Sequence, residues 1–197
     1  MRVNRRLSRA VSAATAFVLS LAILAVAQTG RDSRAANIRI SNFGKINDNF
    51  YRGAQPSRRD ISDLAALGVK TVIDLQADGE AGEEQAVEDA GMKYYRIGMS
   101  DSSWPSTEKA EQFLKLVNDP ANQPVFIHCH GGRHRAGAMT AIYRITHDKW
   151  TADQAFAEMR RYEFERGFGH GALKDYVYDY AQKHQPDQKG VVVETSK

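Results

Sequence analysis

The sequence predicts an α/β fold: a single domain with a central, mostly parallel sheet flanked by helices. Two observations carry that expectation. From Ile38 onward, short β-branched and aromatic runs alternate with longer stretches of helical period, the pattern of strands joined by crossover helices. The 197 residues also show no internal repeat and no compositional break after residue 37, and a 42% hydrophobic content supplies one core.

The elements follow in order. IRISNF (38–43) and INDNFYRG (46–53) read as two short strands with a turn near Asn47-Asp48. SRRDISDLAALG is a helix, because Ile61, Leu64 and Leu67 share one face and Gly68 suits its end. VKTVIDL is a buried strand, EAGEEQAVEDAG a charge-rich helix and KYYRI another strand. PSTEKAEQFLKLVND opens with Pro105 and places Phe113, Leu114 and Val117 at helical spacing. PVFIH is a strand, and AGAMTAIYRITH is a helix burying Met139, Ile142 and Ile145. TADQAFAEMRRYEFER and GALKDYVYDYAQKH complete a domain over 38–184, and 185–197 reads as a flexible tail.

The first 27 residues differ in kind. Arg2, Arg5, Arg6 and Arg9 precede an acid-free run from Ala10 to Ala27 that ends Ala25-Val26-Ala27. As a helix that run reaches about 27 Å, the lower edge of membrane-spanning length. Residues 1–27 are therefore expected to be a cleaved signal peptide, with a retained membrane anchor through residues 10–27 as the rival, and 28–37 a linker. Either version exports the domain, to the periplasm or outside the cell, or leaves it anchored with the domain outside. The whole chain carries 27 basic and 24 acidic residues, a net of +3. Four of those cations and no acid lie in 1–27, which leaves 23 against 24, or −1, on the remainder. The basic balance is thus a property of the leader, and nucleic acid is not an expected partner.

In an α/β sheet, ligands gather at the carboxyl ends of strands. Three loops there matter: Gln76–Glu80, Met99–Trp104 and Cys129–Arg135. The last holds the chain's only cysteine, in PVFIHCHGGRHRAG. Backbone N–H groups between a strand end and a helix N-terminus can converge on a tetrahedral oxyanion. Gly131 and Gly132 permit the dihedrals and close approach such a cradle needs. The same positive field favours the thiolate of Cys129, and Arg135 can offer two oxygens a bidentate fork. A filler cysteine fits poorly beside Arg133 and Arg135. Zinc held by His128, Cys129, His130 and His134 fits no better, because adjacent strand residues point to opposite faces. No metal or organic cofactor is expected.

HCHGGRHRAG resembles the His-Cys-x5-Arg signature of the cysteine-dependent protein tyrosine phosphatase superfamily, with its strand–phosphate loop–helix. It is similar in particular to the atypical dual-specificity phosphatases of plants, fungi and bacteria, and FYRGAQPS (50–57) resembles another motif of that group. The resemblance implies that Cys129 is the nucleophile and Arg135 the phosphate clamp. It also implies that His128 hydrogen-bonds the loop and tunes the thiolate. The residue after the arginine, usually Ser or Thr in that family, is Ala136 here, which implies slow hydrolysis of the phosphocysteine intermediate. Thr140 lies a helical turn further on, too far to substitute.

Leaving-group departure needs a proton donor. Asp101 in MSDSSWPS lies 28 residues before Cys129, after a strand and before a helix, and is the expected acid, with Asp78 as its rival. His128, His130, Gly131, Gly132, Arg133 and His134 are candidate substrate contacts, and the loop cations would favour polyanions. Arg52 reads as a structural residue, with substrate contact as the alternative, and Trp104 either flanks a phosphotyrosine ring or anchors its loop in the core. The function expected is hydrolysis of phosphate monoesters, of phosphotyrosine or dual-specificity type, in a phosphorylated protein or a small phosphate ester. Alternatives are an inositol phosphate phosphatase, a weakly active or inactive phosphate-binding module, and, fitting less well, sulfur transfer through a persulfide on Cys129.

Overall fold

The structure is a computed structural model, which describes residue 35, residues 37–165 and residues 169–185. The segment read as a leader, most of the linker and the tail beyond Gln185 lie outside the described residues. Among the described residues, no helix is long and apolar enough to cross a membrane.

The described residues form, in chain order, β1 Gly44–Asn47, β2 Phe50–Ala54, α1 Arg58–Leu67, β3 Thr71–Gln76, α2 Glu83–Asp89, β4 Lys93–Met99, α3 Thr107–Asn118, β5 Val125–Cys129, α4 Arg135–His147, α5 Ala152–Arg161 and α6 Gly171–His184. The sheet order is β1-β2-β5-β3-β4. Only β1 runs antiparallel, to β2, and the other pairings are parallel. The crossover from β2 through α1 to β3 leaves room between those two strands, and β5 fills it, with Arg52 opposite Ile127 and Ile73 opposite Ile127 on its other side. The cysteine-bearing strand is therefore central, and its carboxyl end faces the loops after β3 and β4.

Local chemistry accounts for the boundaries. Ser57 caps α1 through a reciprocal capping box with Asp60, and Gly68 ends it at φ 96°, a left-handed position that suits glycine. Ile61, Leu64 and Leu67 are the buried face, as their spacing predicts. Ser106 caps α3, and Thr151 with Gln154 boxes α5. β3 and β5 are buried on both faces, as central parallel strands must be. Phe113 of α3, Met139 and Ile142 of α4 and Val177 of α6 close one core against Ile73, Val125 and Ile127.

Three sequence expectations need correction. Residues 38–43 form no strand: Phe43 N–H turns back to Ile40 O, and Asn42 sits at φ 54°, where Asn is tolerated. The fifth helix stops at Arg161 rather than Arg166, with Glu163 at φ 61° turning the chain away. The second helix begins only at Glu83, whose side chain is buried despite its charge.

Candidate active site

Period-two alternation along β5 sorts the chemistry onto two faces. Cys129, 3% exposed, joins the apolar cluster shared with α3, α4 and α6. His128 points the other way and is fully buried. Its Nε2 lies 2.9 Å from Glu83 Oε1 and its Nδ1 3.9 Å from Asp74 Oδ1. Those neighbours are not the loop, so the expectation that His128 bonds the loop or touches substrate is corrected: strand alternation carries the imidazole to the opposite face. Asp74, Glu83 and His128 each offer a ligand atom, all within 4.8 Å of one another, which is the reach of a metal site. Asp74 already accepts from Gln76 N–H, Tyr94 Oη–H and Arg96 Nε–H, however, and this makes the cluster a buried ionic network.

The loop from His130 to His134 has one property the sequence does not display. Each of its five carbonyl oxygens accepts a hydrogen bond. His130 O accepts from Gln55 N–H at 3.3 Å, and Gly131 O from the Asn42 side-chain amide at 2.9 Å. Gly132 O accepts from Arg52 Nη2, Arg133 O from Gly137 N–H at 3.1 Å, and His134 O from Ala138 N–H at 2.8 Å. A trans peptide points its N–H opposite its C=O. Tethering those five carbonyls therefore turns the N–H groups of residues 131 to 135 away from the tethers. A run of amides set that way between a strand end and a helix N-terminus is an anion cradle.

Close approach to β2 makes the tethers possible. Gly132 sits at φ 64°, and a Cβ there would come 2.5 Å from Ala54 N and from Gly53 C. Glycine is obligatory at that position. A Cβ at Gly131 would meet only the Arg133 side chain, at 3.6 Å, so the expectation that both glycines supply special geometry holds for Gly132 alone. Arg52 is the buried partner, at 0% exposure, with its guanidinium 4.1 Å from the centroid of the Tyr162 ring. Burial pushes its pKa down to about 10, against the opposing pull of Tyr162, Cys129 and Glu158, so it stays cationic near neutrality. The arginine read as structural thus places a positive charge near the thiol without reaching solvent.

Arg135, first residue of α4, donates from Nη1 to Met99 O at 3.3 Å, while its buried Nε has no hydrogen-bond partner among the described residues. A buried unpartnered guanidinium donor beside the cradle suits an incoming oxyanion. Arg133 is different: its Nε lies 3.0 Å from Glu163 Oε2, so its charge is largely offset. His130 is exposed, and His134 stacks on His170 with ring centroids 3.4 Å apart. Asp101 lies in the loop after β4, half-buried, and its backbone carbonyl accepts from His170 Nδ1 at 2.9 Å. Asp78 is exposed on the neighbouring loop. Trp104 is 47% exposed and packs edge-on against Tyr176, a member of the core cluster.

Asn42, Arg52, Gln55 and His170 are the members of this site that spacing did not single out as loop partners. A sequence signal existed for one of them: an arginine inside an otherwise apolar strand run, FYRGA.

Two substitutions test the tethering, read in hydrolysis of an aryl phosphate, the reaction the loop's signature implies. Gly132→Ala is expected to cost about 100-fold or more in kcat/KM, the scale of losing cradle donors. Arg52→Met, which replaces a buried cation with an apolar side chain, is expected to leave the melting temperature within a few degrees. It should nonetheless lower kcat/KM by about tenfold or more through the released Gly132 carbonyl. Unchanged kinetics in Arg52→Met would show that the tether does not matter.

A family profile described as "DSP-PTPase phosphatase fused to NAD+ Kinase" matches residues 28–173. OCA1 of Mycosarcoma maydis, which carries a provisional tyrosine-protein phosphatase name, is 33% identical over 126 residues, 61% of this chain and 79% of that protein. Inositol diphosphatase SIW14 of Saccharomyces cerevisiae is 30% identical over 131 residues, 64% of this chain but only 46% of its own length. The solved core catalytic domain of that same PP-IP phosphatase, in complex with citrate, superposes with a TM-score of 0.65 at 26% identity, covering 73% of this chain and 87% of that one. With the family profile matching most of its length, the chain belongs to the DSP-PTPase family of cysteine-dependent phosphatases.

Proposed function

We propose that this phosphatase works in two steps through Cys129, Arg135 and Asp101. The Cys129 sulfur attacks phosphorus while the ester P–O bond breaks, and Asp101 gives its proton to the departing oxygen. The amides of residues 131–135 and the Arg135 guanidinium hold the equatorial oxygens as charge builds on them. In the second step, water attacks the phosphocysteine, the P–S bond breaks, and Asp101 takes the proton from that water. Inorganic phosphate leaves, and the Cys129 thiolate and the protonated Asp101 are regenerated. The observation that carries this reading is the set of five tethered loop carbonyls beside Cys129. In support of the acid role, the Asp101 carboxylate makes no hydrogen bond or ion pair with any described residue and is half-exposed. Cys129→Ser is expected to abolish vanadate-sensitive hydrolysis while phosphate-ester binding persists. Asp101→Ala is expected to slow alkyl phosphates more than aryl phosphates with good leaving groups, and equal slowing of both would remove the acid role.

The substrate in this reading is a phosphate monoester of a protein, phosphotyrosine or dual-specificity in type, or a small phosphate ester. A second reading, an inositol diphosphate or inositol phosphate, is favoured by the name that SIW14 carries. Against it stands the pairing of Arg133 with Glu163, which lowers the net positive charge that the loop offers a polyphosphate. A panel of phosphotyrosine peptides, phosphoserine peptides and inositol diphosphates, compared by kcat/KM, separates the two.

Ala136 sets the pace of the second step. It stands fully buried at the position where the signature that this loop resembles usually has Ser or Thr, and the Thr140 hydroxyl is spent on Ala136 O at 2.7 Å. Phosphoenzyme is therefore expected to accumulate as a pre-steady-state burst. Ala136→Ser is expected to raise kcat and shrink the accumulated intermediate, and absence of a burst in the parent enzyme would contradict this.

The enzyme is also proposed to act after export, on the four leading arginines and the acid-free run from Ala10 to Ala27. The intact mass of the protein recovered from its host tests it: loss of residues 1–27 marks a signal peptide. Retention with membrane-bound activity marks an anchor, and retention with activity in the cytosol contradicts export.

A further inference from the structure

The loop that carries Asp101 is held at two points by one piece of chain. His170, immediately before α6, approaches the Asp101 carbonyl with Nδ1 at 2.9 Å. Because a backbone carbonyl only accepts, the proton of that contact sits on Nδ1. Four residues past Asp101's neighbour Ser100, Trp104 lies edge-on to Tyr176 of α6, with centroids 5.8 Å apart. The opposite side of His170 meets the cysteine loop: its ring stacks on His134 at 3.4 Å and an interplanar angle of 16°. His134 is the residue just before Arg135, and Phe164 meets its ring edge-on at 5.4 Å. One imidazole therefore joins the backbone of the candidate acid to the segment that bears the anion clamp.

The alternative role for His170 is to cap α6. It occupies the cap position, but its side chain makes no capping hydrogen bond, so the helix start does not need the imidazole. Among the described residues, its ring meets Asp101 and His134, one in each loop of the site.

We propose that His170 is a positioning residue: its Nδ1–H on Asp101 O and its stack on His134 hold the acid-bearing loop over the cysteine loop. Proton transfer to a leaving oxygen demands placement within hydrogen-bond reach, and a mobile acid loop meets that demand only a fraction of the time. The idea rests on Asp101 being the acid, and the experiment separates the two claims.

The test measures kcat/KM for an alkyl phosphate and for p-nitrophenyl phosphate in the parent enzyme, His170→Ala, His170→Asn, Asp101→Ala and the His170→Ala/Asp101→Ala double variant. His170→Ala is expected to slow the alkyl substrate by about tenfold or more, while the nitrophenyl substrate changes by less than about threefold, the pattern of weakened acid catalysis. His170→Asn, which keeps an N–H near the Nδ1 position, should recover much of that loss. In the Asp101→Ala background, His170→Ala should add almost nothing, because the group it positions is gone. Equal slowing of both substrates by His170→Ala, or a full additional loss on top of Asp101→Ala, would overturn the positioning role while leaving Asp101 as the acid. If Asp101→Ala itself slows both substrates alike, the acid reading fails and the role of His170 falls with it.

Discussion

Everything in the site follows from where five consecutive carbonyls point. A five-residue loop between a strand and a helix has many conformations, and an anion cradle needs one in which successive amides face the same way. Fixing that conformation before the anion arrives avoids an ordering cost during the reaction. Here the fixing is done from outside the loop. Gln55, Asn42 and Arg52 take the first three carbonyls, and the first turn of α4 takes the last two. Their joint effect is to hold the peptide planes in that one orientation.

Reach decides which residues can do this. Gly132 passes so close to β2 that its missing side chain is a geometric necessity, and that proximity lets a side chain rooted in β2 grip the loop. The grip comes from a fully buried arginine. Removing a guanidinium from water is costly, and burial accordingly pushes its pKa down. The aromatic ring of Tyr162 and the electrostatic influence of Cys129 and Glu158 offset part of that cost. The same residue that shapes the loop therefore also brings a buried positive charge near the sulfur. His128, one residue away, belongs to a separate system: it bridges Glu83 at the start of α2 towards Asp74 in β3, and so ties α2 to the sheet beneath the site.

Much of this was legible in the sequence because it is local. The helix faces of α1 and α3 are set by three- and four-residue spacing, and the strand–Gly-Gly–helix unit around Cys129 is contiguous. The parallel sheet follows from alternation of periods. What could not be read is non-local. Gly131 and its tether Asn42 are 89 residues apart, Gly132 and Arg52 are 80 apart, and Asp101 and His170 are 69 apart. No pattern within a window of a helix or strand encodes such pairs. The orientation of His128 was legible, since alternation next to Cys129 requires opposite faces, yet the family resemblance suggested a loop contact that the alternation forbids. The missing first strand has a different cause: IRISNF has strand composition, but Asn42 adopts a left-handed backbone that lets its side chain reach the cysteine loop.

The claim at the centre is that the amides of residues 131 to 135 are already set to receive a tetrahedral anion. Backbone amide NMR of the parent enzyme during titration with tungstate, an unreactive tetrahedral oxyanion, measures this directly. The account predicts saturable shifts at the N–H groups of Gly131, Gly132, Arg133, His134 and Arg135, with the carbonyl tethers unchanged. Saturable tungstate binding that leaves those five resonances in place would contradict it.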